Sequence, residues 1–367
     1  MRILYFYKEC QTKMYQWQRF HIFDELEKHD CQIIVFNPLN YLTITEANEK
    51  LISFIKINKF DLFMTPYGIE DLYLETLLHI KRKGIPTLLI CFDNLLIPFR
   101  HKQVACYFDL VWLTSKETQQ MFINWGAKVI FNPYAANPFY FKAINVDEKN
   151  RIDFIGSPYG SRINTMNDLI KNEVCVSLFS DITSKKITPD ICKRKFSELK
   201  NTTFDLMRFP IGRQIIFGAI KQKMIGNTQL NFDSNYLELQ TSVPSEKFNE
   251  IYSGYALSLA STAARNTGIL EKPINVVNLR SFEIPMCGGL QFCLYFDELA
   301  EYFEEDKEII FYRSNCEMIE KAKFYLRPEK EALRMCIKQS ARKRAENEHT
   351  WFIRFQVVFD YLGLKYL

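Results

Sequence analysis

The feature that most constrains the fold is a regular alternation of short apolar runs with amphipathic segments over residues 3–132. The apolar runs are typical of buried strands, and the segments between them, such as 15–28 and 70–83, have helical spacing. Strands separated by helices predict a doubly wound parallel sheet, in which right-handed crossovers place the loops after the strands on one edge. The predicted strands lie at 3–7, 32–36, 62–65, 86–92, 110–113 and 129–132.

A second alternation of the same kind follows a charged break at 146–151. Its predicted strands lie at 152–155, 174–179, 255–260, 274–277, 290–295 and 309–312, and helices are predicted at 328–347 and 351–362. We therefore predict an α/β fold with two Rossmann-like domains, 1–145 and 146–345. The second domain contains a predicted helical insertion at about 181–250, and a last helix, 346–367, is expected to pack back on the amino-terminal domain.

Composition excludes several classes of protein. The net charge of +4 is too small to predict a nucleic-acid partner. No apolar stretch reaches the roughly 18 residues of a transmembrane helix, and ten cysteines without a C-x-x-C motif are typical of reduced thiols. We expect a cytoplasmic protein, with the inner face of the cell membrane as a second location. The segment 209–225, apolar with interleaved cations, fits either a peripheral membrane contact or a helix packed on its own domain.

One turn has the composition of an anion site. The sequence GSPYGSR at 156–162 follows a predicted strand and precedes a predicted helix. Backbone N–H groups at such a turn can approach an anion, so Gly156, Ser157 and Arg162 are candidate ligands of a phosphate. An ordinary glycine-rich connection is the alternative interpretation.

A second candidate is the run RSFEIPMCGG at 280–289. A helix here would carry Arg280 and Glu283 on one face, suited to a phosphate and a ribose diol respectively, and would end at Gly288 in a left-handed cap. The pair Gly288 and Gly289 would let the backbone approach a nucleotide. The alternative is a helix end with a surface ion pair.

The carboxyl-terminal ninety or so residues resemble the spore-maturation (CgeB-like) glycosyltransferases, of the group 1 type. The resemblance rests on five pieces in order, namely NLRSFEIPMCGG at 278–289, Phe303, KEIIFY at 307–312, EHTW at 348–351 and Arg354. The turn FIGS at 154–157 and the strand end at Asp93 also suit that group.

The resemblance implies the GT-B fold, two Rossmann-like domains facing a central cleft with carboxyl-terminal helices crossing back. It further implies a glycosyltransferase of the hexosyltransferase type that uses a nucleotide-sugar without a metal or other cofactor. Glu283 would be the second acid of an E-x7-E motif, whose first position is Asn275 here. Together with Arg265, these residues complete the expected donor site.

The expected acceptor is a hydroxyl of a glycan, lipid-linked or protein molecule in bacterial cell-surface polysaccharide synthesis. A base must reach that hydroxyl, and the candidates that follow strands of the first domain are Asp93, Glu9 and Tyr67, with Asp93 favoured. An N-cap is the alternative role for Asp93. A non-catalytic nucleotide-sugar or glycan-binding protein and a sugar-nucleotide epimerase stay open as alternative functions.

Overall fold

Two parallel six-stranded sheets form the framework of the computed structural model. The structure describes residues 1–10, 13–181, 203–226 and 228–366, and for residues 13–15 and 265 it describes the backbone alone. Two compact units contain one sheet each: Met1–Asn137 together with His349–Leu367, and Pro138–Glu348.

The first sheet confirms the six strands predicted in the amino-terminal part. Its strands are β1 (Arg2–Phe6), β2 (Gln32–Phe36), β3 (Leu62–Thr65), β4 (Thr87–Cys91), β5 (Leu110–Leu113) and β6 (Val129–Phe131), in the order β2-β1-β3-β4-β5-β6. The chain reverses its direction of travel across the sheet between β1 and β3. This pair of strands is the topological switch point, where open α/β sheets bind ligands at the carboxyl ends of their strands.

Helices connect these strands as the periodicity predicts. They are Lys13–Gln18 and Asp24–Lys28, joined by the π-helical stretch Arg19–Phe23, then Ile44–Ile57, Leu74–Arg82 and Gln119–Asn124. The final helix, Trp351–Leu362, belongs to this unit as well. Its amino end is held by the buried Glu25 carboxylate, which accepts the backbone N–H groups of Trp351 and Phe352 at 3.2 and 2.7 Å. Burial raises the pKa of Glu25 to about 8, although the two hydrogen bonds act to lower it.

The second sheet has the strand order of a Rossmann fold. Its strands are β7 (Lys149–Ile155), β8 (Val176–Phe179), β9 (Leu237–Gln240), β10 (Tyr255–Ala260), β11 (Gln291–Leu294) and β12 (Ile310–Tyr312), in the order β12-β11-β10-β7-β8-β9. The switch point therefore lies between β7 and β10. The longer helices of this unit are Ser161–Lys171, Pro210–Ile225, Phe248–Gly254, Arg280–Met286, Asn315–Tyr325 and Glu331–Glu348.

Two predictions for this unit are wrong in detail. The sequence predicts a helical insertion at about 181–250, yet this segment contributes the edge strand β9 as well as the helix Pro210–Ile225; residues 182–202 lie outside the described parts. The run predicted as a strand at 274–277 forms only an isolated antiparallel bridge between Asn275 and Ala263. The second difference arises because a short apolar run does not reveal whether a neighbouring strand is in reach.

A buried ion network fastens the long helix Glu331–Glu348 to the start of β7. Glu148 accepts from Lys338 Nζ at 2.6 Å and from Arg334 Nε at 2.8 Å, and all three side chains are at most 7% exposed. Removing one partner would leave a buried charge unpaired, so the network fixes the position of this helix.

Candidate functional site

The site is built around the carboxyl ends of β7 and β10, which are neighbours in the second sheet. The turn 156–160 follows β7, and the long loop 261–279 follows β10. The two segments touch: a Cβ on Gly268 would lie 2.1 Å from the Ser161 Oγ, so only glycine permits this approach. Two loops from the switch point therefore form one surface.

Arg162 is the main cation of this surface. Its guanidinium donates to the Ser157 carbonyl at 3.2 Å, and its Cζ lies 4.4 Å from the centroid of the Tyr159 ring. Among the described residues no carboxylate pairs with it. Burial, and after it the positive charge of Arg280, lower the pKa of Arg162, while Tyr159 opposes them. A half-buried guanidinium that lies beside a second cation and has no anionic partner is suited to bind an anion.

Arg280 and Glu283 form an ion pair on the helix Arg280–Met286. Glu283 is only 3% exposed, whereas the Arg280 side chain is 33% exposed and its Cζ lies 4.4 Å from the Phe248 ring centroid. The helix begins next to the end of β10, because the Asn278 side chain donates to the Ser261 carbonyl at 3.2 Å. Arg280 thus reaches the same edge as Arg162, and Glu283 holds it there.

The loop 261–279 is stabilised by its own polar contacts. Asn275 accepts from the Thr262 hydroxyl at 3.1 Å, so this amide braces the loop. Arg265 starts the short 3-10 helix Arg265–Ile269 in the middle of the loop; its side chain lies outside the described part of the structure.

In the first unit, Asp93 follows β4 at the carboxyl edge and is exposed. Its φ of 54° is left-handed, an uncommon conformation for a residue other than glycine and one that is enriched at functional sites. The Tyr134 hydroxyl donates to its carboxylate at 3.3 Å. The neighbouring Asn94, fully buried, fixes this turn by accepting from the backbone of Thr114 at 3.0 Å.

Glu9, the other predicted base, follows β1 and forms an ion pair with Arg19 at 2.6 Å. The ion pair occupies the Glu9 carboxylate. Tyr67 follows β3 and is 6% exposed. Its hydroxyl accepts from the backbone N–H of Lys8 at 2.9 Å.

Comparison with solved structures agrees with this fold. The structure of Alr3699/HepE from Anabaena in complex with UDP-glucose is similar at a TM-score of 0.57 and 12% identity, covering 99% of this chain and 100% of that one. AviGT4, a glycosyltransferase involved in avilamycin A biosynthesis, gives 0.54 and 14% over 99% and 98%. Sucrose-phosphate synthase from Thermosynechococcus elongatus gives 0.52 and 11% over 99% and 98%. The fold is GT-B.

Sequence comparison adds a partial match to this GT-B fold. Residues 211–360 match the family model described as glycosyl transferase-like. No curated protein matches the chain. The matched range includes Arg280 and Glu283 but begins after Arg162. The assignment of Arg162 to the site therefore depends on the structure and the turn sequence alone.

The structure corrects the place of two predicted donor residues. Gly288 and Gly289 lie at the amino end of β11, opposite the carboxyl edge of the GT-B domain. Gly288 has a φ of 71° and packs where a Cβ would approach the Ala143 Cβ to 2.7 Å; a Cβ on Gly289 would lie 2.9 Å from Ile284. The predicted cap is confirmed, and these close contacts give both glycines a packing role at the edge opposite the switch-point loops.

Two parts of the site were missed in the sequence. The first is the helix Pro210–Ile225, which lies against the switch-point loops: a Cβ on Gly218 would be 2.7 Å from the Asn266 carbonyl oxygen, and one on Gly160 would be 3.7 Å from Gln222 Oε1. Two glycines in an apolar helical run, Gly212 and Gly218, were the available signal for such close packing.

The second missed part is one residue, Asp153, in the middle of β7. It is fully buried, accepts from the Ser258 hydroxyl at 2.6 Å, and its Oδ2 has no hydrogen-bond partner among the described residues. Burial raises the pKa of Asp153 to about 7, and the cations Lys338 and Arg280 partly oppose that rise. An acidic residue inside an otherwise apolar predicted strand was the signal.

Within the described residues, no three His, Cys, Asp or Glu side chains are grouped so that they could hold a metal ion. In the same parts of the chain, no helix has the length and apolarity needed to cross a bilayer.

Proposed function

We propose that this protein is a hexosyltransferase related to the spore-maturation (CgeB-like) group. It transfers a sugar from a nucleotide-sugar to a hydroxyl of a glycan, lipid-linked or protein acceptor in bacterial cell-surface polysaccharide synthesis. The neighbour Alr3699/HepE was crystallised with UDP-glucose, and a uridine nucleotide is accordingly the first donor to test.

The observation that carries the proposal is the pair Arg162 and Arg280 at the switch point of the second sheet. Two cations sit where an α/β sheet binds phosphates, and one of them lacks a carboxylate partner among the described residues. The departing nucleoside diphosphate is the charge that such a site would stabilise, and fixed cations contribute most when charge develops on the leaving group.

We propose that transfer proceeds without a metal ion, because Arg162, Arg280 and the amino end of the helix Ser161–Lys171 supply positive charge for the diphosphate. Transfer rates that stay constant in EDTA support this part of the proposal. Rates that fall in EDTA and return with Mg²⁺ or Mn²⁺ would contradict it while leaving the transferase function intact.

Asp93 is the proposed group that contacts the acceptor hydroxyl as base or ligand. The exposed carboxylate on a left-handed residue supports this role over the N-cap role. Asp93→Asn should lower kcat by roughly 100-fold or more at an unchanged nucleotide Kd. Glu9→Gln is the matched control at the other predicted position.

A cytoplasmic location with a peripheral membrane contact is part of the proposal. The helix Pro210–Ile225 exposes Phe217, Ile220 and Met224, 60%, 51% and 82% exposed, and residues 206–225 contain no acidic residue. Cosedimentation with phosphatidylglycerol vesicles but not phosphatidylcholine vesicles is expected, and Met224→Glu should reduce it. Equal amounts of sedimented protein with and without vesicles would mean that this helix makes no membrane contact.

A non-catalytic nucleotide-sugar or glycan-binding protein is the second candidate, favoured by Asn275 in place of an acid. The deciding experiment incubates the protein with UDP-, GDP- and dTDP-sugars, with and without extracts that contain acceptors. Release of nucleoside diphosphate and labelled product supports the enzyme, and donor isomerisation would indicate an epimerase. Saturable binding without turnover supports the second candidate.

Arg162→Gln tests the site itself. A lost charge-assisted contact costs about 1.5–3 kcal/mol, so UDP should bind roughly 10- to 100-fold more weakly. Lys171→Gln, at the far end of the same helix, is the matched control and should bind UDP as the wild type does. Equal UDP affinity in Arg162→Gln and the control would remove the switch-point turn from the donor site.

A further inference from the structure

Four side chains form a cluster at the switch point of the first sheet. Lys8 follows β1, Tyr67 and Asp71 follow β3, and Arg100 follows β4. Asp71 joins the two cations: its Oδ1 lies 2.5 Å from Lys8 Nζ and its Oδ2 lies 3.3 Å from Arg100 Nη2. We call these four residues the Tyr67 cluster.

The Tyr67 cluster has more positive than negative charge. Both cations lie over the same ring, with Lys8 Nζ 5.2 Å and Arg100 Cζ 5.6 Å from the Tyr67 centroid. One carboxylate balances one of them, and the ring quadrupole stabilises cations without neutralising them. The side chains of Lys8 and Arg100 stay 28% and 39% exposed, so their donors can reach a ligand.

The loops after β3 and β4, which carry three of the four residues, are in close contact with each other. His101 Nε2 lies 3.0 Å from the Pro66 carbonyl oxygen, and a Cβ on Gly68 would lie 2.4 Å from the Arg100 carbonyl oxygen. Burial lowers the pKa of His101 to about 4, so this neighbour is neutral at physiological pH and donates through Nε2. Cations fixed before binding lose little entropy when a ligand arrives.

The available groups favour an anion over a neutral sugar. Neutral sugars are bound by a mixture of donors and acceptors, often beneath an exposed aromatic face. Here Tyr67 is 6% exposed and Asp71 is 8% exposed with both oxygens in ion pairs. What remains accessible is a set of N–H donors on two cations.

We propose that Lys8 and Arg100 bind an anionic group, a phosphate or a carboxylate, on the acceptor. The assignment to an acceptor rests on the proposed transferase function, since the donor diphosphate is assigned to the second sheet. A lipid phosphate and an acidic sugar share this chemistry, and the experiment below separates them.

The test is calorimetric titration of phenyl phosphate, phenyl β-glucuronide and phenyl β-glucoside into UDP-saturated protein. An anionic probe should bind at least tenfold more tightly than the glucoside. A preference for the phosphate indicates a phosphorylated acceptor, and a preference for the glucuronide indicates an acidic sugar. Equal affinity for all three probes would overturn the proposal.

Variants locate the binding. Lys8→Gln and Arg100→Gln should each weaken the preferred probe about tenfold, whereas the exposed Lys102→Gln should not. Asp71→Asn frees both cations from their carboxylate and should tighten binding several-fold, a direction that misfolding cannot mimic. Anion binding that is unchanged in the two cation variants, or lost in Asp71→Asn, would refute the assignment.

Nucleotide binding is measured first, so the two proposals can fail separately. If UDP does not bind the wild-type protein, the same titrations are repeated in the absence of UDP on the Arg162→Gln variant. Probe binding through Lys8 and Arg100 in a protein that binds no nucleoside diphosphate keeps the anion site and overturns the transferase function. UDP binding and turnover without an anion preference overturn only the anion site.

Discussion

Replacing Asp153 with asparagine should make the protein more stable, and increasingly so as the pH rises. The carboxylate is fully buried in β7, and one of its oxygens has no hydrogen-bond partner among the described residues. Asparagine preserves the shape and the acceptor for the Ser258 hydroxyl but cannot ionise. The substitution therefore mimics the protonated acid at every pH.

The size of the effect follows from the pKa. Burial raises the pKa of Asp153 to about 7, against an ordinary value of 3.8. The folded state binds the proton more tightly than the unfolded state, so the stability that this group contributes is present below pH 3.8 and is lost as the pH rises towards 7. A difference of about three pKa units corresponds to about 4 kcal/mol in full, of which roughly 2 to 3 kcal/mol fall between pH 5 and pH 8.

The assay is urea unfolding of wild type, Asp153→Asn and the exposed control Asp147→Asn at pH 5, 6, 7 and 8. The free energy of unfolding of Asp153→Asn minus that of wild type should grow with pH and level off above about pH 8, whereas the control difference should stay flat. A difference that is constant or shrinks as the pH rises would refute the reasoning, because it would mean that the native state holds Asp153 ionised.

Three further perturbations have defined outcomes. Gly288→Ala forces a side chain onto a φ of 71° beside Ala143, so it should destabilise the fold by about 2 kcal/mol in urea unfolding without changing the Kd for UDP. Gly218→Ala places a Cβ 2.7 Å from the Asn266 carbonyl oxygen; it should weaken UDP binding in calorimetry, unlike the exposed control Gln214→Ala. Glu25→Ala removes the acceptor of two buried N–H groups and should lower the free energy of unfolding by about 2 to 3 kcal/mol at pH 6, with a smaller loss at pH 9 where the wild type loses part of this contribution.

The strands were predictable because the period and length of their apolar runs are local properties. Strands such as β1 and β10 are buried along nearly their whole length, and such strands have continuous apolar sequences. The left-handed cap at Gly288 was predictable for the same reason, since a helix stop depends on one residue and its immediate neighbours.

The positions of the site residues relative to the strands were less predictable. The sequence predicts Gly288 and Gly289 as donor residues because a glycine pair lets the backbone approach a nucleotide, but a helix seven residues long carries the chain across the sheet to its opposite edge. Arg162 and Arg280 are 118 positions apart in the sequence, and only the adjacency of β7 and β10 brings them together. Strand order is a tertiary property, so a sequence that predicts the strands does not predict their neighbours.

The run RSFEIPMCGG at 280–289 therefore has two separate functions at its two ends. Its carboxyl end is structural, since Arg342 donates to the Met286 carbonyl and the glycines close the turn. Its amino end places Arg280 at the switch point, and the ion pair with Glu283 leaves neither side chain as an unpaired charge when no ligand is bound. In the proposed donor site a nucleotide replaces both partners, since its diphosphate would accept from Arg280 while its ribose hydroxyls would donate to Glu283. In this exchange the ligand substitutes one set of charge-assisted contacts for another. Binding then does not leave the buried Glu283 carboxylate without a partner, and an unpaired buried carboxylate would be the largest penalty of breaking the ion pair.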